Sequence, residues 1–242
     1  MFQTYIFAPL YNLLVYIVNF LPGHEVWLAV ALLTLLVKIA LIPLYRKQIR
    51  TQYIMSHAMP KIKAIQEKYK DKKDTESQQA LAKETMSIWS EYKMNPLTPF
   101  LILIIQMPIL IALYRIFFTG IEAHRDLLYT NNFIPEILNQ NFFGIALSSR
   151  SLLLALLAGV TMFALNWIMM QHKDKIMEES EFQKSMNLQM QYVLPIVIGV
   201  VSYVTPAVVA IYIVVGNLFG IAQEYFIRRP LEKRLKVELA AK

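Results

Sequence analysis

Apolar and polar positions are not interleaved evenly along this chain; they fall into long apolar blocks separated by short basic ones. The first block follows Glu25 and runs VWLAVALLTLLVKIALIPL to Leu44, with Lys38 as its one charge. Others cover 96–118, 151–170, 188–204 and 206–227, and the run from Ser151 to Met170 is 20 residues without a charge. About 20 apolar residues in a helix cross the ~30 Å hydrocarbon core of a bilayer. The pattern therefore predicts an all-α membrane protein with five transmembrane helices at 25–44, 96–118, 151–170, 188–204 and 206–227.

The segments between the blocks have periods of their own. Met1 to Phe20 carries no charge. Tyr5, Asn12, Tyr16 and Asn19 fall on one helical stripe, with Ile6, Leu10, Leu13, Leu14, Ile17 and Val18 around the rest. That pattern fits an N-terminal interfacial helix over 1–24, lying on the outer side, with a sixth span as the alternative. Pro22-Gly23 ends it either way. From 45 to 95 the chain is hydrophilic and predicts a cytoplasmic helical hairpin. Pro60 suits the first turn of a helix carrying Met59, Ile62, Ile65 and Tyr69 on one side. Asp71-Lys72-Lys73-Asp74 makes the turn, and Thr75 with Gln78 fits a capping box. The second helix then shows Leu81, Thr85, Ile88, Trp89 and Tyr92 on its less polar face. An extracytoplasmic loop over 119–150, a cytoplasmic loop over 171–187 and a cytoplasmic basic tail over 228–242 complete the division.

Charge changes the picture by giving it a direction. The chain carries 24 Lys and Arg against 17 Asp and Glu. Of the basic residues, 11 fall in 45–95, 3 between His172 and Asn187 and 6 from Arg228 onward, while Arg115, Arg125 and Arg150 lie on the other side. Cytoplasmic segments hold the excess of Lys and Arg, which predicts an outside N-terminus and an inside C-terminus. The same distribution explains a net charge of +7 without direct sequence-specific nucleic-acid binding. Lys61, Lys63, Lys68 and Lys70 mark a solvated face of the helical hairpin. They are also candidate contacts for a ribosome, a targeting factor or anionic lipid.

The chemistry available to this frame is narrow. There is no cysteine, hence no disulfide and no thiolate site. His24, His57, His124 and His172 lie in flanks or loops without metal-ligand spacing. No glycine-rich phosphate loop occurs, and no aspartate falls inside a predicted span. An enzyme is not expected, nor a cofactor or metal. Four polar side chains remain inside four spans: Lys38, Gln106, Asn166 and Asn217. A lysine within a span costs about 2.5 to 3.5 kcal/mol on insertion scales. Either Lys38 snorkels toward the end of its helix, or it faces a water-filled recess that suits something acidic. The amides either make interhelical hydrogen bonds, typically about 1 kcal/mol each, or line the same recess.

The motifs add a resemblance. Lys61-Ile-Lys-Ala-Ile-Gln-Glu-Lys-Tyr-Lys, Met94-Asn95-Pro96-Leu97 and Gln106-Met107-Pro108-Ile109 with Leu113-Tyr114 occur in sequence. Gly159-Val160-Thr161-Met162-Phe163, Gln189-Met190-Gln191 with Pro195, Pro206-Ala207, and Tyr212 through Asn217-Leu218-Phe219 with Gln223 follow. In this order and spacing the set resembles the YidC membrane-protein insertase family, which includes the mitochondrial Oxa and chloroplast Albino insertases. The likeness runs from about Val26 to Arg229.

What the resemblance implies is a five-helix bundle around a hydrophilic groove, open to the cytoplasm and laterally to lipid. Lys38 matches the position of a groove residue that is usually arginine, so the charge is kept and the guanidinium fork is lost. Gln106, Asn166, Trp167 and Asn217 would line the groove. Met107, Tyr114, Val197 and Tyr203, on the second and fourth spans, would form the surface along which an apolar segment slides to lipid. The implied partners are nascent membrane proteins and the lipid bilayer, with the ribosome, the signal recognition particle pathway and the Sec translocon beside them. The implied location is the bacterial cell membrane. With neither a large extracytoplasmic domain nor a lipoprotein cysteine, the chain reads as a compact form. The other readings of the frame are an assembly scaffold without insertion activity and a small channel or transporter.

Overall fold

The computed structural model describes residues 2–70, 72, 74–92, 98–130, 132–171, 185 and 187–240, without the side chains of 98–103, 105, 239 and 240. The Met94-Asn95-Pro96-Leu97 motif, Asp71, Lys73 and most of the expected loop over 171–187 lie outside the described residues. By its internal contacts the chain divides into two units. The first takes 1–41, 104–173 and 180–224, and the second takes 42–103, 174–179 and 225–242.

In the first unit a π-helical turn Gln3–Phe7 leads into α1, Ala8–Phe20. A 3-10 turn Pro22–His24 follows, with Gly23 at φ +72. Helix α2 is Val26–Ala40, and it ends where Leu41 donates back to the Val37 carbonyl. The expected span 25–44 is therefore cut short as a helix. Pro43 cannot supply the N–H that would continue it, and a new helix starts at Ile42. Later in the first unit come α6, Leu152–Gln171, a π turn Gln189–Val193 leading into α7, Leu194–Val204, and α8, Ala207–Gln223.

Tyr11, Leu14, Val15 and Val18 of α1 pack into one core with Val26, Val30 and Leu33 of α2. Residues Ala207 to Tyr212 are all buried, so α8 starts surrounded on every side. Outside this core the apolar residues face outward. Leu152, Leu153, Leu156 and Val160 of α6 and Ile196, Val200 and Val204 of α7 are exposed. Apolar surface of that extent calls for hydrocarbon rather than water.

The N-terminal helix departs from its expected stripe. Tyr5 and Tyr16 are exposed, but Asn12 is buried and Asn19 turns inward. Asn12 Nδ2 donates to the Leu127 carbonyl at 2.8 Å, and its Oδ1 accepts from the Tyr129 N–H at 2.7 Å. Asn19 Nδ2 donates to the Phe133 carbonyl at 2.7 Å. The two amides fasten α1 to the loop after residue 120, because a buried amide is stable only when bonded. That loop is more ordered than the sequence indicated. A 3-10 helix Ile121–Leu127 opens it, and strands β1, Asn141–Phe142, and β2, Ile145–Ala146, pair antiparallel within it.

The second unit holds α3, Ile42–Lys68, and α4, Thr75–Glu91. Pro60 lies inside α3 rather than at a helix start. A buried stripe of Ile49, Tyr53, Ala58 and Ile62 runs through it, and packing along that stripe carries the helix past the lost hydrogen bond. The cap of α4 is Asp74, whose carboxylate accepts from the Ser77 N–H at 2.8 Å, so Thr75 is the first helical residue and not the cap. Leu81, Thr85, Ile88, Trp89 and Tyr92 are each half-buried, as their spacing predicts. The residues expected as a tail are helical too: after a π turn Glu224–Arg228 comes α9, Arg229–Ala240, which packs on α3 with Arg50 and Glu238 paired at 3.2 Å. Between the two units in sequence runs α5, Thr98–Thr119, with Pro108 inside it.

By length and composition, among the described residues, α6 and the helix from Ala207 to Glu238 suffice to cross a membrane. The pair α2 and α3 passes that test together, and Gln106–Thr119 and Gln189–Val204 are shorter apolar helices.

Candidate functional site

Every expected groove residue belongs to the first unit. Lys38 sits in the last turn of α2, half-buried. Its stem lies across α8 at Gly216: a Cβ placed on that glycine would be 3.6 Å from Lys38 Cε. Among the described residues Lys38 makes no hydrogen bond and no ion pair. Twelve residues separate it from Val26, about 18 Å along α2, and Gly216 is about 14 Å from the start of α8. The lysine is thus directed at a neighbouring helix, facing a position well inside that helix's apolar run.

Asn217, next to Gly216, points to α6. Its Nδ2 donates to Thr161 Oγ1 at 3.1 Å and lies 3.4 Å from the Ala158 carbonyl. Asn166 Nδ2 donates to the Met190 carbonyl at 2.6 Å, joining α6 to the π turn before α7. Both amides are buried and bonded across helices, the first of the two roles open to them. Gln106 differs: its Oε1 is buried with no hydrogen-bond partner among the described residues. Lys38 and Asn217 are thus brought to one level of α8, Asn166 anchors a different helix pair, and Gln106 makes no hydrogen bond to any of them. Trp167 is largely exposed beside Asn166. Met107 and Tyr114 on α5 and Val197 and Tyr203 on α7 are all exposed.

The sequence reading did not single out Thr161, Gly216 or Tyr212 as site residues. Tyr212 stands one helical turn before Gly216, and its hydroxyl is buried without a partner among the described residues. The spacing Tyr212-x-x-x-Gly216 was the available signal, since residues four apart share a helix face. Gly159 and Gly199 set how closely α6 and α7 approach, with a Cβ on Gly159 falling 3.7 Å from the Gly199 Cα. Among the described residues no group of three His, Cys, Asp or Glu is placed to hold a metal.

The helical-hairpin lysines split into two kinds. Lys61 Nζ donates to Glu91 at 3.1 Å and Lys68 Nζ to Glu84 at 2.7 Å, so these two brace α3 against α4. Glu84 also accepts from the Tyr69 hydroxyl at 2.8 Å. Lys68 and Tyr69 together hold the Glu84 carboxyl below its ordinary range, and the same pairing raises Lys68. Lys70 has no ion pair among the described residues, and Lys63 is half-buried.

Sequence comparison gives this arrangement its family. The family described as 60Kd inner membrane protein matches residues 17–234. The chain belongs to this family, the YidC insertases. It is 34% identical to the membrane protein insertase YidC of Oceanobacillus iheyensis over 84% of this chain and 75% of that protein. It is 33% identical to a YidC 1 of Halalkalibacterium halodurans over 94% of this chain and 79% of that one. It is 31% identical to the insertase MisCA of Bacillus subtilis, with the same two coverages of 94% and 79%. Membership makes this an all-α multi-pass protein of the bacterial cell membrane and places it among insertases, not enzymes.

Proposed function

We propose that this protein is a membrane protein insertase that receives a nascent membrane protein in a hydrophilic groove centred on Lys38. It moves short hydrophilic segments across and releases apolar ones into the bilayer. The observation that carries this reading is the placement of Lys38, whose stem lies over Gly216 within the apolar run of α8 with no partner among the described residues. A cation held there has a use if an acidic segment arrives, because charge paired in a poorly screened site interacts strongly. Gln106 Oε1 and the Tyr212 hydroxyl, both without a hydrogen-bond partner among the described residues, add groups that can replace part of a segment's hydration.

The apolar part of the substrate then moves along Met107, Tyr114, Val197 and Tyr203 toward lipid. Burial of its apolar surface, at roughly 25 cal/mol per Å², drives the step without nucleotide or cofactor. The frame for this mechanism is five spans with the N-terminus outside and the C-terminus in the cytoplasm. The helical hairpin, through Lys61, Lys63, Lys68 and Lys70, meets substrates delivered by the ribosome or the signal recognition particle pathway, alone or beside the Sec translocon. The test is insertion of a small signal-free membrane protein into liposomes with and without the purified protein, scored by protease protection. Protection that depends on the protein is expected; equal protection in empty liposomes would overturn the proposal.

A further inference from the structure

The β-hairpin in the loop between α5 and α6 carries a conformation its sequence should avoid. Asn141 pairs with Ala146 and Phe142 with Ile145, and two residues close the turn, Phe143 at φ +45 and Gly144 at φ +85. Positive φ at both central positions is the two-residue turn for which Asn-Gly is the favoured pair. Gly144 is at home there. Phe143 is not, since the left-handed region brings a Cβ too close to the following carbonyl oxygen. The same phenylalanine is 87% exposed, among the most exposed large apolar side chains of the chain. Within the molecule the ring meets Phe142 edge-on at 4.9 Å, a contact that leaves most of it bare and open to apolar surroundings from outside the chain.

Its attachment says which surroundings. Trp27, the second residue of α2, meets Phe142 edge-on at 5.1 Å and lies 6.2 Å from Phe143. Glu25 accepts from Trp27 Nε1 at 2.7 Å and from Asn139 Nδ2 at 2.8 Å, and the Val26 N–H donates to the Asn139 carbonyl at 3.0 Å. On the other side the Ala207 N–H donates to the Ser149 carbonyl at 2.8 Å. The hairpin is therefore tied to the first turns of two apolar helices, α2 and α8. That is the level at which membrane helices leave hydrocarbon and where aromatic side chains concentrate. Phe133 and Ile137 of the same loop are exposed as well. The loop's charges are Glu122, Asp126 and Glu136 against Arg125 and Arg150, so it offers no cationic surface. A second copy of the chain is a poor fit to the tip, because a stable interface buries about 800 Å² per partner and each ring supplies only about 150 to 250 Å².

We propose that this β-hairpin is a lipid anchor: Phe143, backed by Phe142 and Trp27, enters the headgroup–acyl boundary on the side where α2 begins, and binds it by apolar contact rather than by charge. The anchor fixes the position of the loop that braces α1, α2 and α8, and it is independent of the groove.

The chain has no cysteine, so one can be placed at will. Full-length Phe143→Cys carrying a nitroxide, reconstituted in phosphatidylcholine vesicles with and without phosphatidylglycerol, is compared with Lys70→Cys. At 143, oxygen should relax the label more than a water-soluble nickel chelate does, equally in both vesicles, and the order should reverse at 70. Chelate access at 143 equal to that at 70 would overturn the proposal, as would spin–spin broadening that disappears on dilution with unlabelled protein. A second variant separates anchoring from folding. Phe143→Asn suits the turn and should leave thermal unfolding in detergent unchanged or raised, while a label at Ile137→Cys moves toward water in vesicles. An unmoved label there would count against the anchor.

Discussion

The crossing of α6 and α7 offers a perturbation whose size can be worked out in advance. Gly159 faces backbone: a Cβ there would lie 3.2 Å from the Pro195 carbonyl oxygen and 3.7 Å from Gly199 Cα. At Gly199 the added atom would be 3.6 Å from the Ala155 carbonyl oxygen and 4.0 Å from Gly159 Cα. Replacing glycine by alanine in a helix gains roughly 0.8 to 1.0 kcal/mol of propensity at either site. Gly199→Ala keeps most of that gain, since its methyl makes an ordinary contact. Gly159→Ala must push a main-chain carbonyl back by a few tenths of an ångström, and overpacking costs typically about 1 to 3 kcal/mol. The net expectation for Gly159→Ala is a loss of about 0 to 2 kcal/mol, and for Gly199→Ala a change between zero and a gain of about 1 kcal/mol. The double variant should lose more than the sum, because the two new methyls would meet. Unfolding of each variant in one detergent, followed by tryptophan fluorescence, measures the order. Equal cost at both glycines, or strict additivity, would refute the close crossing.

Three further outcomes follow from the same geometry. Gly216→Ala should be tolerated, but Gly216→Leu should displace the Lys38 stem and impair insertion of substrates with acidic translocated segments while sparing neutral ones; a uniform loss in both classes would point to a general packing defect. The Asn217–Thr161 hydrogen bond should give a coupling near 0.6 kcal/mol, at most about 1.7, in a double-mutant cycle with Asn217→Leu and Thr161→Val, and zero coupling would remove it from the account. Because Lys68 and Tyr69 lower the Glu84 carboxyl, their bracing of α3 on α4 is complete above the ordinary glutamate range, about pH 4.3, and is lost as pH falls through the lowered value. Amide exchange protection of 61–91, corrected for intrinsic rate, should fall across that window in the natural protein and stay flat in Glu84→Gln.

What the sequence made legible is what depends on composition and period. The apolar blocks, the helical hairpin and the half-buried face from Leu81 to Tyr92 follow from patterns that local physics enforces. Boundaries were less legible where one residue type has two uses. Proline starts a helix as readily as it is carried inside one, and only the stripe from Ile49 to Ile62 shows that Pro60 is carried. Asp74 and Thr75 are both capping residues, and the bond to Ser77 chooses between them. Asn12 read as a water-facing residue because its partners, Leu127 and Tyr129, lie more than a hundred positions away in sequence. The same distance hid Gly216, whose importance comes from a side chain on another helix. Lys38 was conspicuous from the first, since a charge inside an apolar run must be accounted for; its direction was not.

The most direct measurement is insertion of a matched pair of substrates, one with an acidic translocated segment and one with a neutral segment, into liposomes holding the natural protein, Lys38→Ala or Lys38→Arg. The groove account predicts that Lys38→Ala loses the acidic substrate selectively and that Lys38→Arg retains both. Equal protease protection of the acidic substrate by all three proteins would contradict it and return Lys38 to a residue that merely reaches for water.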